Sequence, residues 1–313
     1  MNTAQQSATQ RVVIAGGSGF LGASLARHLS KKNYAVTILS RNAPPQGEWS
    51  FQKWDARTLG EWAKVLDGAH AVVNLVGRTV DCVKTPLHCD QILRSRVEAT
   101  RVLGQAISTL ESKPSVWVQM STAHIYGDSE LDCVEDSATG FGLAPIVGAA
   151  WERAFDESCP EGIRRVILRT SFVLGQQGDA WKKLKLITKL GFGGTLSTGT
   201  QGMSWIHEHD MNAIFERAIE NDSMEGLYIS SAPNPVSNRT FMQSMRDALG
   251  VPIGLPATAW MIQIGARLLL RTDPELALYG RYVIPQRLLA EGFEFKYPKL
   301  NDALNELCKR NEE

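Results

Sequence analysis

Residues 11–42 read RVVIAGGSGFLGASLARHLSKKNYAVTILSRN, and this stretch decides the fold. It opens with a β-branched run over 11–15 that suits a short, fully buried strand. Glycines at 16, 17, 19 and 22 follow at once, and Leu21, Leu25 and Leu29 then recur at helical spacing. A second apolar run occupies residues 35–39. Strand, glycine turn, helix and strand make the first half of a parallel, doubly wound unit. In that context Gly16, Gly19 and Gly22 permit a tight turn and close backbone approach. The helix they open, beginning at Phe20 and Leu21, offers N–H groups and positive dipole to a pyrophosphate. A glycine-rich turn that holds no ligand is the plainer alternative.

Further segments repeat the theme. Residues 61–66 suit a short helix, 69–76 (AHAVVNLV) a buried strand, and 92–110 a long helix with Val97, Val102, Leu103 and Ile107 as its apolar positions. Residues 115–120 read as a strand, 151–157 as helix and 165–168 (RVIL) as strand again. Strands alternating with helices, several of them continuously apolar, predict a Rossmann-type α/β fold whose parallel sheet is covered on both faces. Beyond residue 175 the regularity weakens. Glycines at 191, 193, 194, 199 and 202 suggest a flexible loop over a ligand. Asp210 suits the N-cap of a helix through Ala213, Ile214 and Ala218, and Ser237 or Asn238 that of another stopped by Gly250-Val251-Pro252. Apolar residues 260–270 and the segment 301–307 predict two more helices. The expected organisation is a polar, disordered tail (1–10), a nucleotide-binding domain (11–235) with segment 176–205 toward the substrate cleft, and a small C-terminal α/β lobe (236–313) on the substrate side.

Composition narrows the function. The chain has 313 residues, with 33 Lys+Arg against 33 Asp+Glu, so no global field gathers nucleic acid or anionic lipid. Five cysteines without a C-x-x-C pair fit a reducing compartment. Residues 1–10 lack the basic and apolar parts of a signal peptide, and no run approaches a membrane span. A cytoplasmic protein with neither nucleic-acid nor membrane partner is expected.

The end of the second strand selects the cofactor. NAD enzymes usually place a carboxylate there for the ribose hydroxyls, whereas an arginine suits a 2′-phosphate. Here Ser40-Arg41-Asn42 stands at that point, with no carboxylate before Glu48. Arg41 supplies charge-assisted bonds and Ser40 a neutral one, which points to NADP(H).

With the glycine turn, Ser40-Arg41 and Asn74-Leu75-Val76-Gly77 in view, the chain resembles the extended short-chain dehydrogenase/reductases. More narrowly, it is similar to their atypical "epimerase family" branch, whose members are often labelled cell-division inhibitors. Ser95-Arg96, STAHIYG (121–127), Trp151-Glu152 and VILRTSFVLG (166–175) carry the likeness further. It extends through GFGGTLSTGTQGMSWIHEHD (191–210), SAPNPVSNRTF (231–241) and VIPQRLLAEGFEF (283–295), hence into that branch's C-terminal domain of unknown function. The resemblance implies that Leu75, Val76 and Gly77 line the adenosine side of the cofactor. It implies too that Arg96 reaches the cofactor, with Gln91 nearby, and that Asp55 sits where relatives contact adenine. An exposed loop aspartate is an equal reading of Asp55. A homodimer formed through a helix pair is a further expectation from the superfamily.

Most short-chain dehydrogenases move the carbinol proton with a tyrosine assisted by a lysine four residues on. No Tyr or Lys occurs between Tyr126 and Lys182, and alignment on Trp151-Glu152 puts the two slots near Gly142 and Ile146. Thr122 matches the helper hydroxyl. In an extended strand Thr122 and His124 would share a face, and a histidine there would titrate near neutrality. Thr122 and His124, with Tyr126 third, are the candidate catalytic residues. A hydrogen-bonded structural histidine, and a packed structural tyrosine, are the alternatives. His207 and His209 lack a third clustered ligand, so no metal is expected.

Two functions fit. One is an NADP(H)-dependent oxidoreductase or epimerase acting on a small, sugar-like hydroxy or keto compound. The other is an NADP(H)-sensing protein with little or no turnover, linked to cell division by the label its relatives carry.

Overall fold

Every apolar run in the first half of the chain becomes a strand of one sheet in the computed structural model, which describes residues 9–268 and 271–309. The tail expected over residues 1–10 lies, apart from its last two residues, outside the described residues. The chain begins with β1 (Arg11–Ala15), α1 (Phe20–Lys31), β2 (Ala35–Ser40), β3 (Ser50–Lys53), β4 (Ala71–Asn74), α2 (Pro86–Ser108), β5 (Val116–Thr122) and β6 (Asp132–Cys133). Next come α3 (Leu143–Ser158), β7 (Arg164–Thr170), β8 (Phe172–Leu174), α4 (Asp179–Ile187), β9 (Gly202–Met203), β10 (Trp205–His207), α5 (Glu208–Glu220) and β11 (Gly226–Ser230). It ends with β12 (Val236–Ser237), α6 (Asn238–Leu249), α7 (Ala259–Leu268), α8 (Glu275–Leu278), β13 (Tyr282–Val283), α9 (Gln286–Ala290) and α10 (Leu300–Lys309).

Seven strands form the main sheet in the order β11-β7-β5-β4-β1-β2-β3, every neighbour parallel. The order reverses between β1 and β4; the crevice outside the carboxyl ends of the strands at such a switch point is where doubly wound sheets bind ligands. Alternation along β1 sends Val12 and Ile14 to one face, against Leu25 and Leu29 of α1 and Phe215 of α5. Val13 and Ala15 go to the other, into a core with Leu103 of α2 and Phe155 of α3. Both faces are covered, as continuously apolar strands require.

A separate core joins Leu174, Trp181 and Trp205 to Phe241 and Met245 of α6 and Leu304 and Leu307 of α10. The second lobe thus draws on residues either side of 235. Its glycines serve packing more than looseness: a Cβ on Gly194 would lie 2.3 Å from the carbonyl oxygen of Leu255. Leu255 N–H in turn donates to Gly191 O at 2.8 Å, and Ala257 N–H to Thr195 O at 3.0 Å. Two cap expectations have definite outcomes. Ser237 caps α6 and Gly250 closes it with φ of +65°. The N-cap of α5 is His207 instead of Asp210, whose buried carboxylate accepts the N–H groups of Lys296 and Tyr297, each at 2.9 Å. The expected helix over 260–270 is α7; its last two positions lie outside the described residues. Among the described residues no helix is long and apolar enough to cross a membrane.

Candidate functional site

The crevice has a nucleotide end made mostly of backbone. Gly16 leaves β1 with φ of +80°, and a Cβ there would stand 3.0 Å from the backbone of Leu75 and Val76. A Cβ on Gly22 would reach 2.3 Å from Gly17 Cα. Only residues without side chains let the turn fold this tightly. At Gly19, by contrast, the nearest atom to a Cβ is Gly16 O at 3.7 Å, so that side is open. Gly19 is the N-cap of α1, no side chain caps the helix, and its first turn holds no acidic residue. The leading N–H groups, those of Phe20 and Leu21 among them, and the positive dipole end are therefore free to meet an anion. The Phe20 ring packs where side chains on Gly175 and Gly178 would otherwise stand.

Ser40 is buried at the end of β2, its Oγ donating to Asn42 O, and Arg41 beside it is exposed. Gly16 N–H donates to Leu39 O at 2.8 Å, which joins this strand end to the glycine turn. Asp55 lies in the loop after β3, exposed, and accepts from Arg57 N–H, Thr58 N–H and Thr58 Oγ1 at 2.8, 3.0 and 2.6 Å. The Thr58 bonds chiefly hold its carboxyl below the usual range. Its carboxylate builds that loop.

A buried polar network fixes the next strand end. Asn74 Nδ2 donates to Thr100 Oγ1 at 3.1 Å and Gln119 Oε1 at 3.0 Å, while Val76 N–H donates to Asn74 Oδ1 at 3.1 Å. Trp151 Nε1 also donates to Thr100 Oγ1, at 3.1 Å. Half-buried Leu75 and Val76 are set in place where β4 meets the crevice. Gly77 has no side chain because the Arg96 guanidinium occupies that space, 2.9 Å from where a Cβ would be. Arg96 Nη1 donates to the carbonyls of Ile92 and Arg78, and its Cζ lies 5.0 Å from the Trp151 ring centroid. Burial pushes this guanidinium down to about 10. Gln91 accepts from Arg78 Nη1.

The other end of the crevice is made of side chains. Thr122 ends β5, and its Oγ1 accepts from His124 N–H at 3.2 Å to start a 3-10 turn over Ala123–Tyr126. The extended strand assumed for Thr122 and His124 therefore stops at Thr122, and the turn relates them instead. His124 is half-buried, with neither ring nitrogen hydrogen-bonded among the described residues. Burial first, then the charges of Arg281 and Lys84, push its pKa down to about 3. Titration near neutrality is thus corrected: His124 is a neutral imidazole, with one donor and one acceptor nitrogen.

Tyr126 is 3% exposed, and Arg169 Nη1 donates to its hydroxyl at 3.0 Å. Arg169 also grips Glu152 through Nε–Oε1 at 2.9 Å and Nη2–Oε2 at 2.8 Å, and Ser121 Oγ donates to the same carboxylate at 2.5 Å. Burial pushes the phenol up to about 12. Tyr126 ties the turn to β7 and, through Arg169 and Glu152, to α3. Gly142, at the slot of the tyrosine that most short-chain dehydrogenases carry, has no side chain, and Ile146, at the lysine slot, is exposed.

Sequence reasoning passed over the Arg169–Glu152 pair and Arg281. Trp151-Glu152 was visible as a motif, but nothing in one dimension places its partner. His207, 2% exposed, caps α5 through Nδ1 and meets Glu306 through Nε2 at 3.1 Å. Among the described residues no group of three His, Cys, Asp or Glu side chains is placed to hold a metal ion.

Comparison with known proteins agrees with this geometry. A family model described as "NAD dependent epimerase/dehydratase family" matches residues 12–228, and "Domain of unknown function (DUF1731)" matches residues 257–307. The chain is 32% identical over 308 residues to the epimerase family protein SDR39U1 of Homo sapiens, covering 95% of this chain and 99% of the relative. It is 32% identical over 305 residues to the epimerase family protein YfhF of Bacillus subtilis, covering 95% and 97%. Among solved structures, human SDR39U1 (isoform2) with NADPH superposes with a TM-score of 0.85 at 30% identity, covering 96% of this chain and 99% of that one. The protein belongs to the NAD dependent epimerase/dehydratase family.

Proposed function

We propose that this chain is an NADP(H)-dependent, epimerase-like oxidoreductase acting on a small hydroxy or keto compound of sugar-like character. One observation carries the cofactor choice: an uncapped helix N-terminus stands beside a strand end that bears exposed Arg41 and no carboxylate. The human relative's structure with NADPH supports it. In this reading the turn from Gly16 to Gly22 and the start of α1 hold the pyrophosphate. Arg41 and Ser40 take the 2′-phosphate, Arg41 through a two-nitrogen fork. Leu75, Val76 and Gly77 line the adenosine side with Asp55 at its edge, and Arg96 adds positive charge behind them.

The nicotinamide supplies hydride exchange with a carbinol or carbonyl carbon. Thr122 Oγ1 and the free ring nitrogens of the neutral His124 orient the substrate oxygen through hydrogen bonds. Free cysteines fit a reducing cytoplasm, and a homodimer belongs to the same reading. Gly142 and Ile146 favour a second reading, an NADP(H)-sensing protein linked to cell division, because neither can move a proton.

Two measurements test the proposal. Titration should show NADPH binding about tenfold or more tighter than NADH, the worth of one charged hydrogen bond; tighter NADH binding sinks the cofactor choice. Stopped-flow mixing of the NADPH complex with a panel of carbonyl compounds should show oxidation with at least one. NADPH binding without oxidation by any of them selects the sensor.

A further inference from the structure

The C-terminal lobe brings one more charged group to the β5 end. Arg281 is 8% exposed. Its N–H donates to Gly202 O at 2.9 Å, and its carbonyl accepts from Ser204 Oγ at 2.8 Å. Gly280, just before it, is bound to the segment that follows the His124 turn: Gly280 N–H donates to Asp128 Oδ1 at 2.7 Å and Ser129 N–H to Gly280 O at 2.9 Å. β13 starts at the next residue and pairs with β6. The backbone that carries Arg281 is pinned from three directions.

Its guanidinium has no such partners. Nε is sealed from solvent without a hydrogen bond, and no hydrogen bond or ion pair joins the guanidinium to the described residues. Asp128 is the acidic group whose charge it feels, yet that carboxylate is engaged by Gly280 and makes no ion pair with it. Lys84, the other cation felt by His124, already pairs with Asp273 at 3.5 Å. A largely buried cation without a partner is costly, and an anion arriving from outside the chain would offset that cost.

We propose that Arg281 is the carboxylate-recognition residue of the substrate pocket, so that the compound handled at Thr122 and His124 is a hydroxy or oxo acid. This rests on the reading that the β5 end is where substrate is handled. One uncompensated positive charge balances a monoanion and not a phosphate dianion, and the planar fork grips a carboxylate through two parallel bonds. Thr122 and His124 hold the carbinol or carbonyl oxygen, and Arg281 sets the orientation by holding the acid group.

The test is titration of oxamate, an unreactive oxo-acid mimic, into the full chain with and without saturating NADPH, beside neutral lactamide and inorganic phosphate. Oxamate should bind at least about tenfold tighter than lactamide or phosphate, and Arg281→Gln should weaken it at least about tenfold. In the wild-type protein the Arg281 Nε–H resonance, assigned by its loss in Arg281→Lys, should shift as oxamate is added; this reading needs no folded Gln variant. No oxamate binding, equal lactamide binding, tighter phosphate binding, an unmoved resonance or indifference to Arg281→Gln overturns the proposal. NADPH affinity, read in the same titrations, reports on the cofactor reading separately. Its absence beside an intact oxamate response sinks that reading and leaves the acid site.

Discussion

At the β1–α1 end of the crevice the binding groups are backbone: glycines whose missing side chains make room, and N–H groups that no side chain caps. At the β5 end the proposed groups are side chains, Thr122, His124 and Arg281, delivered by a strand end, a 3-10 turn and a different lobe. The first kind of site depends on spacing within a dozen residues. The second depends on which distant segments happen to meet, so its chemistry can change one side chain at a time while the nucleotide turn stays as it is. That difference explains how the glycine turn can persist in a chain without the tyrosine and lysine of most short-chain dehydrogenases.

The comparison can be broken at its scaffold first. Arg169→Met leaves the Glu152 carboxylate without its cation beneath the β5 end, and breaking a buried pair costs about 3–5 kcal/mol. Urea unfolding should show a loss of that size; a loss below about 1 kcal/mol, the worth of an exposed pair, would mean the pair does not hold the turn. Gly22→Val tests the backbone half. Its Cβ would meet Gly17 Cα at 2.3 Å, so the turn must open, and NADPH affinity should fall by roughly 100-fold or more. Affinity close to wild type would show that the turn's tightness is not what binds.

Smaller effects sharpen the side-chain half. Tyr126→Phe removes one hydrogen bond from Arg169, at about 1 kcal/mol of stability, and should leave turnover unchanged. A tenfold fall in turnover at unaltered stability would return Tyr126 to the chemistry. A further effect concerns pH. His124 is held at about 3 in the folded chain against an ordinary 6.5, so in that window the unfolded chain binds a proton that the native one refuses. Stability therefore rises with pH there and is lost as pH falls from 6.5 toward 3. His124→Gln should lose less stability between pH 7 and pH 5 than wild type, read from urea midpoints. An equal loss would place the burden elsewhere, as on buried His207, whose pKa burial also lowers.

Legibility in the sequence follows the same divide. The apolar runs around Val12, Val72, Val118 and Ile167 announced the sheet because both its faces are covered, and the glycines announced the turn because nothing else fits. Edge strand β11 was missed: GLYIS is short and begins with a glycine at φ of +83°. The role of Asp210 was misread because a capping residue and a buried acceptor for Lys296 and Tyr297 look alike in one dimension. His124 was expected to titrate near neutrality because burial and the reach of Arg281 are three-dimensional facts. Arg281 itself carries no local signal, since its meaning lies in what it lacks.

The central claim is that the backbone turn and Arg41 together select NADP(H). The most direct test is parallel titration of wild type and Arg41→Glu with NADPH and NADH at one ionic strength. Wild type should prefer NADPH about tenfold or more, and Arg41→Glu should abolish or reverse that preference with NADH affinity little changed. Equal or tighter NADH binding by wild type, or an NADPH preference that survives Arg41→Glu, would contradict it.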